Sequence, residues 1–418
     1  MTSSFQPSGR AELVAGSRTL VASILGVASG VSSLPFYTSG LFIAALHADL
    51  GWSLTSLSLG PTVLIASMAL SAPLVGHIFD RYGERRFILP GLLAQALGFL
   101  LLSRMNGLVG YCVLMGGTAL LGAGCSSPAY LRVVNRRFQA SKGAALALTI
   151  SGSAVFSAVL PPILQGIIAA HGWRGGYVAL SILVLIAAPA IMLLLGGERA
   201  ASMPLVEPVR EGPDDFRYGG LFRSRAFAPL MLAITLISIG VPGLLIHFVP
   251  MAMRSGMSAQ QAAWIVSLIG GTQIITRVAI GIIVDRLFAP RVAASIMVAS
   301  AIGILILAWG GDGSIVIGAI AVGFAFGAEA DLLGYLAGRY YPPHHFGRVY
   351  GIFYAIFLGG MALSPSAYGM IVDRAGSYGP ALICASILLF AAALLFLILP
   401  AFPVSSSRIA GVGDDHVS

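Results

Sequence analysis

Hydrophobic residues along this chain fall into twelve long segments, separated mostly by short polar stretches. Each segment has about 17–28 residues, which is enough for an α-helix to cross the roughly 30 Å hydrocarbon core of a bilayer. The pattern therefore predicts an all-α membrane protein with twelve transmembrane helices. The segments lie near 19–46, 53–79, 87–103, 108–135, 143–170, 176–196, 226–251, 259–285, 291–309, 314–338, 347–372 and 378–400.

The longest polar stretch, 197–225, divides the segments into six and six. It is charged and rich in proline and glycine, which predicts a linker between one bundle at 1–196 and another, with a short tail, at 226–418. The second segment ends in GHIFDR and the eighth in GIIVDR, so the halves repeat each other. We expect two pseudo-symmetric six-helix bundles, a layout in which the binding site lies between the halves at the middle of the membrane.

Composition and charge agree with a membrane location. Hydrophobic residues make up 57% of the chain and charged residues 10%, whereas soluble domains average about 25% charged. By the assignment above, 19 lysines and arginines lie on one face, and four lie on the other: Arg104, Arg174, Arg254 and Arg374. The positive-inside rule then places both termini in the cytoplasm. We expect an integral protein of a bacterial inner membrane, and the distribution of charge argues against a nucleic-acid partner.

Covalent chemistry has little support in this sequence. The three cysteines, Cys112, Cys125 and Cys384, are far apart and lie in apolar stretches, so they form neither a metal-site spacing nor a disulfide framework. No phosphate-binding loop, zinc motif or nucleophile elbow is recognisable. We therefore expect no enzyme activity, no cofactor and no metal site.

Arg277 is the most informative single residue, because it lies in the middle of the otherwise uncharged stretch 264–284. A charge at that depth costs about 2.5–3.5 kcal/mol, and such residues usually face a water-filled cavity. The planar guanidinium matches a carboxylate in a bidentate fashion. One cation favours a substrate with one carboxylate, because a dicarboxylate would leave a charge desolvated. The alternative is a structural ion pair within the bundle.

Three further polar residues lie at similar depth. Gln273 is one turn before Arg277 and can orient the guanidinium, reach the substrate or join two helices. Glu329 and Asp331 are two positions apart, so they point to nearly opposite sides of the tenth helix and at most one faces the cavity. That carboxyl group is the best candidate for proton coupling, and the sequence does not distinguish the two. The alternative for both is a structural ion pair.

Aromatic and imidazole side chains complete the candidate substrate site, although each residue type is also common in helix packing. Tyr335 follows Asp331 by one helical turn, and Phe36 and Tyr37 come directly after Pro35 in the first segment. Tyr130 follows Pro128 in the fourth segment, and His247 lies near the end of the seventh.

The loop after the second segment reads GHIFDRYGERR over 76–86. Gly76 allows close helix packing, and Asp80 can sit at the positive end of a neighbouring helix. This stretch resembles the loop signature of the major facilitator superfamily, with Glu84 in place of a basic residue. The alternative is a basic loop that merely obeys the positive-inside rule. We expect a conformational latch made of Gly76, Asp80, Arg81, Gly83, Arg85 and Arg86.

Within that superfamily, the chain most resembles the monocarboxylate transporters and the oxalate–formate exchangers. The resemblance covers nearly the whole chain and rests on 26–42, 122–139, 323–352 and 369–380. It implies that Arg277 binds the substrate. The chain departs from the transporters at Gln273, where they have aspartate, and at Phe36, where they have lysine. It also lacks the second membrane cation of the exchangers, since its one lysine, Lys142, lies in a loop.

Together these features predict a monomeric secondary active transporter in the lipid bilayer. It would move small organic anions, namely monocarboxylates, by alternating access and together with protons. A carboxylate exchanger and a metabolite exporter remain alternatives, and a sensor or scaffold that binds without transporting is the alternative from another class.

Overall fold

The computed structural model of this chain describes residues 9–196, 221, 224–284, 286–311, 313–342 and 345–402. The predicted linker at 197–225 lies outside these residues apart from 221, 224 and 225, so the division into two bundles stays a prediction. Asp285 of the repeated motif also lies outside them. The described chain folds into fifteen α-helices and one short 3-10 helix.

In chain order, the α-helices are α1 Gly9–Ala15, α2 Ser17–Ser29, α3 Leu34–Leu50, α4 Leu54–Tyr82, α5 Arg85–Leu102, α6 Gly107–Leu121, α7 Ser127–Arg137, α8 Lys142–Gly196, α9 Phe227–Gly240, α10 Pro242–Arg254, α11 Ala259–Ile283, α12 Ala289–Trp309, α13 Ser314–Tyr340, α14 Phe346–Ala375 and α15 Gly379–Leu397.

Eleven helical stretches in the described residues are long and apolar enough to cross a membrane. The longest is α8, whose 55 residues would span about 80 Å if the helix were straight. The chain bends at Gly172, which has a φ of 69°, a backbone conformation that favours glycine. Because α8 covers both the fifth and the sixth predicted segments, all twelve segments correspond to helices. The predicted all-α membrane fold is confirmed.

The first, fourth and seventh spans are each broken near the middle. The breaks lie at 30–33, at the 3-10 helix Gly122–Cys125 and between α9 and α10. A proline stands in the first turn of each following helix, at Pro35, Pro128 and Pro242. Proline fits there because the first turn leaves its N–H groups without helical partners.

Side chains from neighbouring helices satisfy the backbone at these breaks. Gln95 donates to the carbonyl oxygen of Ser29 at 3.0 Å, and the Cys125 thiol donates to the Gln95 amide oxygen at 3.0 Å. At the third break, the Ser364 hydroxyl accepts the N–H of Gly243 at 2.7 Å. Because buried backbone groups need partners, these contacts make the breaks defined parts of the fold.

We call the described residues up to 196 the first half and those from 224 on the second half. The most extensive contacts between them are made by three pairs of helices: α4 with α14, α8 with α11, and α3 with α10. An even number of crossings puts both ends of the described chain on one face, which we call the termini face. Its connections include 83–84, 138–141, 286–288 and 341–342. The opposite face, which we call the far face, has connections that include 51–53, 103–106, 255–258, 310–311 and 376–378, together with the bend at Gly172.

At the termini face, α1 is attached to the loop before α8 through one carboxylate. Glu12 accepts the N–H of Gln139 at 2.7 Å, and the N–H and hydroxyl of Ser141 at 2.8 and 2.7 Å. Hydrogen bonds of this kind favour the charged form. They hold the pKa of Glu12 below its usual value, with the Gln139 contact making the largest contribution.

Candidate functional site

Arg277 on α11 has only 11% of its side chain exposed. Its Nε lies 3.8 Å from the Oδ2 of Asp331 on α13, which is an ion pair but too long for a hydrogen bond. Both Nε and Nη1 are buried and find no hydrogen-bond acceptor among the described residues. Leaving buried donors of a charged group unpaired is costly. The guanidinium therefore carries two donors that lack an acceptor in the described part of the chain.

The two acidic residues of α13 occupy different surroundings. Asp331 pairs with Arg277 and keeps 33% of its side chain exposed. Glu329 is 7% exposed and lines a mostly apolar cavity inside the second half, together with Leu230 and Phe357. Its Oε2 has no hydrogen-bond partner within the described part of the chain. The helical offset of the two positions explains why only Asp331 sits directly against the guanidinium.

Gln273 and Tyr37 connect the two halves beside this ion pair. Gln273 Nε2 donates to the Tyr37 hydroxyl at 3.1 Å, and that hydroxyl lies 3.4 Å from Gln273 Oε1. Gln273 is 1% exposed and stands one turn before Arg277 on the same helix. The structure thus gives Gln273 a helix-to-helix hydrogen bond, which is one of the three roles that the sequence left open.

An aromatic cluster packs across the halves next to this hydrogen bond. The Phe36 ring stacks on Phe326 of α13, with centroids 5.7 Å apart and planes at 17°. Tyr37 meets both rings edge-on, at 5.4 and 6.0 Å. Phe326 was missed by the sequence analysis, because nothing in the apolar pattern of the tenth segment distinguishes it from its neighbours. The cluster gives the site an apolar wall.

Replacing Tyr37 by phenylalanine should lower the apparent Tm of the purified protein. The change keeps the ring but leaves the buried Gln273 amide without its partner, which costs about 1–3 kcal/mol. Tyr177→Phe is the matched control, because the Tyr177 hydroxyl is buried and has no hydrogen-bond partner among the described residues. If thermal unfolding shows the same Tm change for both variants, the hydrogen bond between the halves contributes nothing.

Tyr335 and Tyr130 are not brought to Arg277. The Tyr335 hydroxyl donates to the Val284 carbonyl oxygen at 3.1 Å, after the end of α11. Tyr130 is fully buried, and a side chain at Gly26 would collide with its ring. These positions indicate packing between helices, so a substrate role for either residue stays a prediction.

His247 lies between the halves, closer to the far face, and is fully buried. Its Nε2 is 2.9 Å from the Ser58 hydroxyl and 3.0 Å from the Pro365 carbonyl oxygen. Its Nδ1 is 3.2 Å from the Tyr378 hydroxyl. With both ring nitrogens engaged, His247 is an interface residue in this conformation, and its predicted role in substrate binding stays a prediction.

The loop motif at 76–86 is arranged differently from what the sequence suggested. Asp80 forms an ion pair with Arg132 of α7, in the same half, instead of sitting at the end of a neighbouring helix. Gly76 is not tightly packed, since a Cβ there would have its nearest neighbour, Arg132, at 3.8 Å. Gly83 has a φ of 78°, which favours glycine.

The arginines of this motif surround the start of α5. Arg81 lies over the Tyr82 ring at 5.3 Å, and α5 begins with Arg85 and Arg86. The buried Glu84 pairs with Arg136 of α7 at 3.4 Å. The motif therefore joins the end of α4 to α7 within the first half.

The sequence model of the Major Facilitator Superfamily matches residues 25–365 and 243–417. The chain belongs to this superfamily. It is 25% identical over 338 residues to the MFS transporter asaE of Aspergillus flavus, which covers 78% of this chain and 73% of that protein. It is also 23% identical over 341 residues to human monocarboxylate transporter 2, with 76% and 71% covered. Mouse monocarboxylate transporter 11 is 26% identical over 374 residues, with 84% and 79% covered.

Superfamily membership and the apolar helices make this chain an integral membrane protein of a transporter family. The predicted resemblance to the superfamily and to monocarboxylate transporters is confirmed. These three relatives come from a fungus and two mammals. They lend no support to the expected bacterial inner membrane, and the position of the termini stays a prediction.

Proposed function

We propose that this protein is a secondary active transporter that moves monocarboxylates together with protons by alternating access. The observation that carries the proposal is the buried Arg277 guanidinium, whose Nε and Nη1 have no hydrogen-bond acceptor among the described residues. A carboxylate fits this need, because its oxygens accept charge-assisted hydrogen bonds from a guanidinium. The relatives named monocarboxylate transporters support this substrate class.

The charges around the site favour a substrate with a single carboxylate. Asp331 already lies 3.8 Å from Arg277, so the pair is close to neutral before a substrate arrives. A second carboxylate on the substrate would add a negative charge without a partner, at a high desolvation cost. The apolar wall made by Phe36, Tyr37 and Phe326 suits the uncharged body of such an acid.

Asp331 is our candidate for the proton site. When a substrate carboxylate binds Arg277, the Asp331 carboxylate competes with it for the same cation. Protonation of Asp331 removes this competition and keeps the loaded site neutral. Its partly exposed side chain can exchange protons with water, whereas Glu329 is enclosed by the second half. Glu329 is therefore the weaker of the two candidates.

The proposed cycle rocks a first half, 1–196, against a second half, 226–418, across the linker 197–225. We place the termini face in the cytoplasm, because most lysines and arginines fall on that side. In this arrangement the contacts of Tyr37 with Gln273 and of Ser58 with His247 close the path toward the far face. The protein acts as a transporter and not as an enzyme in this proposal, and it functions as a monomer.

Uptake by purified protein in proteoliposomes tests the proposal. Labelled monocarboxylates should accumulate when the external medium is acidic, and oxalate should compete poorly. Transport only when the vesicles are preloaded with carboxylate would instead indicate an exchanger. Binding seen by thermal shift without counterflow of labelled substrate would indicate a sensor. Neither binding nor transport of any monocarboxylate would reject the substrate class.

Asp80→Asn should slow transport several-fold while substrate affinity stays within a few-fold of the parent. The residue lies at the end of α4 at the termini face and pairs with Arg132 of α7. Its effect should therefore fall on the exchange between conformations, which affects rate more than binding. Initial uptake rates and substrate-induced thermal shifts measure the two quantities separately. A large loss of affinity in well-folded protein would contradict this role.

A further inference from the structure

The end of α14 repeats the loop motif on the opposite face of the membrane. Residues 369–376 read GMIVDRAG, and residues 76–83 read GHIFDRYG. Both have glycine, then aspartate and arginine four and five positions later, and then a second glycine. The first copy ends α4 at the termini face, and the second ends α14 at the far face.

Asp373 of this second copy binds the first turn of α4, which belongs to the other half. One carboxylate oxygen accepts the N–H of Leu54 at 3.3 Å. The other accepts the N–H and the hydroxyl of Thr55 at 2.8 and 2.6 Å. A carboxylate at a helix N-terminus is favoured by the helix dipole and makes charge-assisted hydrogen bonds.

Gly369 brings the two helices into contact at the same place. A Cβ on Gly369 would lie 2.8 Å from the Leu54 carbonyl oxygen and 2.8 Å from the Thr55 Cα. Such distances are too short for carbon atoms, and both neighbours are backbone, which cannot move aside easily. Only glycine fits this approach. Asp373 lies one turn later on α14, so the four-residue spacing of the motif places both Gly369 and Asp373 against the start of α4.

The interface continues from this contact toward the middle of the membrane. Ser58, one turn further along α4, contacts His247 at 2.9 Å. Thr62, one turn beyond, lies 2.8 Å from the Ser366 hydroxyl of α14. The contact of Asp373 with α4 is the outermost of this series. Opening the far face would have to separate it along with the others.

We propose that residues 369–376 form a far-face latch, in which Asp373 and Gly369 hold the two halves together whenever the far face is closed. Asp373 is a positioning residue, because it holds the two halves in contact at the far face and does not itself contact the site at Arg277. The inference rests on the alternating-access part of the proposed function. It requires neither the substrate class nor proton coupling.

Cysteine labelling without substrate tests the latch. The native cysteines, Cys112, Cys125 and Cys384, are replaced by serine in the full chain, and Ser366→Cys provides a reporter inside the interface. A membrane-impermeant maleimide is added from the far face of reconstituted vesicles. Asp373→Ala should increase the labelling rate about tenfold, the size expected when charge-assisted hydrogen bonds are lost.

Gly369→Ala is the second variant, because it disturbs the same contact by steric clash and leaves every charge in place. It should also increase labelling. Asp49→Asn is the matched control. Asp49 is a carboxylate near the far face, but its partners Trp173 and Arg174 lie in its own half. Labelling of this control should equal that of the parent, and size-exclusion profiles verify folding for each variant.

The latch is rejected if Asp373→Ala and Gly369→Ala both label at the parental rate, or if Asp49→Asn labels as fast as they do. The proposed function can fail separately. If the latch variants open the far face but no monocarboxylate is transported by the parent protein, the latch stands and the substrate class is wrong.

Discussion

Lysine in place of Arg277 should weaken monocarboxylate binding by at least about tenfold and nearly abolish uptake. Lysine keeps the positive charge but replaces a planar fork by a single ammonium group. The lost hydrogen bond to a charged partner is worth about 1.5–3 kcal/mol, which corresponds to roughly a 10- to 150-fold change in Kd. Substrate-induced thermal shift and initial uptake rate measure the two effects.

Arg174→Lys is the matched control for this substitution. Arg174 lies near the far face, has 55% of its side chain exposed, and is 3.9 Å from Asp49. Exposed ion pairs contribute little, so this variant should bind and transport as the parent does. If Arg277→Lys transports the best substrate at nearly the parental rate, Arg277 is not the carboxylate anchor, and its pair with Asp331 is structural.

The second large effect concerns the response to pH. Uptake by the parent protein should rise as the external pH falls, because a monocarboxylate entering alone would carry negative charge against an inside-negative potential. That opposition amounts to about 2.3 kcal/mol per 100 mV. One proton moved with each substrate makes the cycle electroneutral and lets the pH gradient drive accumulation.

Asp331→Asn should remove this pH dependence while exchange of substrate for substrate continues. The asparagine resembles a permanently protonated aspartate, so the site can still load but can no longer release a proton. Glu329→Gln is the matched control on the same helix, and its uptake should keep the parental pH profile. Proton entry after substrate addition, followed with a dye inside the liposomes, gives an independent measurement.

The reverse result would assign proton coupling to Glu329. A third outcome, in which neither substitution changes the pH profile and substrate addition causes no proton flux, would make both acids structural. The transporter would then be an exchanger of anions, as the related oxalate–formate resemblance allows. None of these outcomes would change the proposal that Arg277 binds the substrate carboxylate.

The sequence was sufficient to predict the spans and to single out Arg277 as a buried charge. A hydrocarbon core dictates the length of each apolar segment, and a buried arginine is conspicuous within one. The sequence was not sufficient to predict which residues contact each other between the helices. The contact of Tyr37 with Gln273 joins positions 236 residues apart, and it depends on how the two halves are docked.

The orientation of α13 about its own axis was also not predictable from the sequence. Helical geometry alone says that Glu329 and Asp331 point in different directions, but the packing of the bundle decides which one meets Arg277. The partner of Asp80 was also unpredictable, because an aspartate at the end of α4 can face either a helix terminus or Arg132. The break at Gly122–Cys125 lies among small and apolar residues, so hydrophobicity gives little sign of it.

The bend at Gly172 has a consequence for how the protein enters its membrane. The fifth and sixth spans are joined there without a loop, at a glycine with a φ of 69°, a backbone conformation that other residues adopt only at a cost. A residue with a side chain at this position would strain the turn that brings the sixth span back through the bilayer. We therefore expect correct insertion of both spans to depend on Gly172.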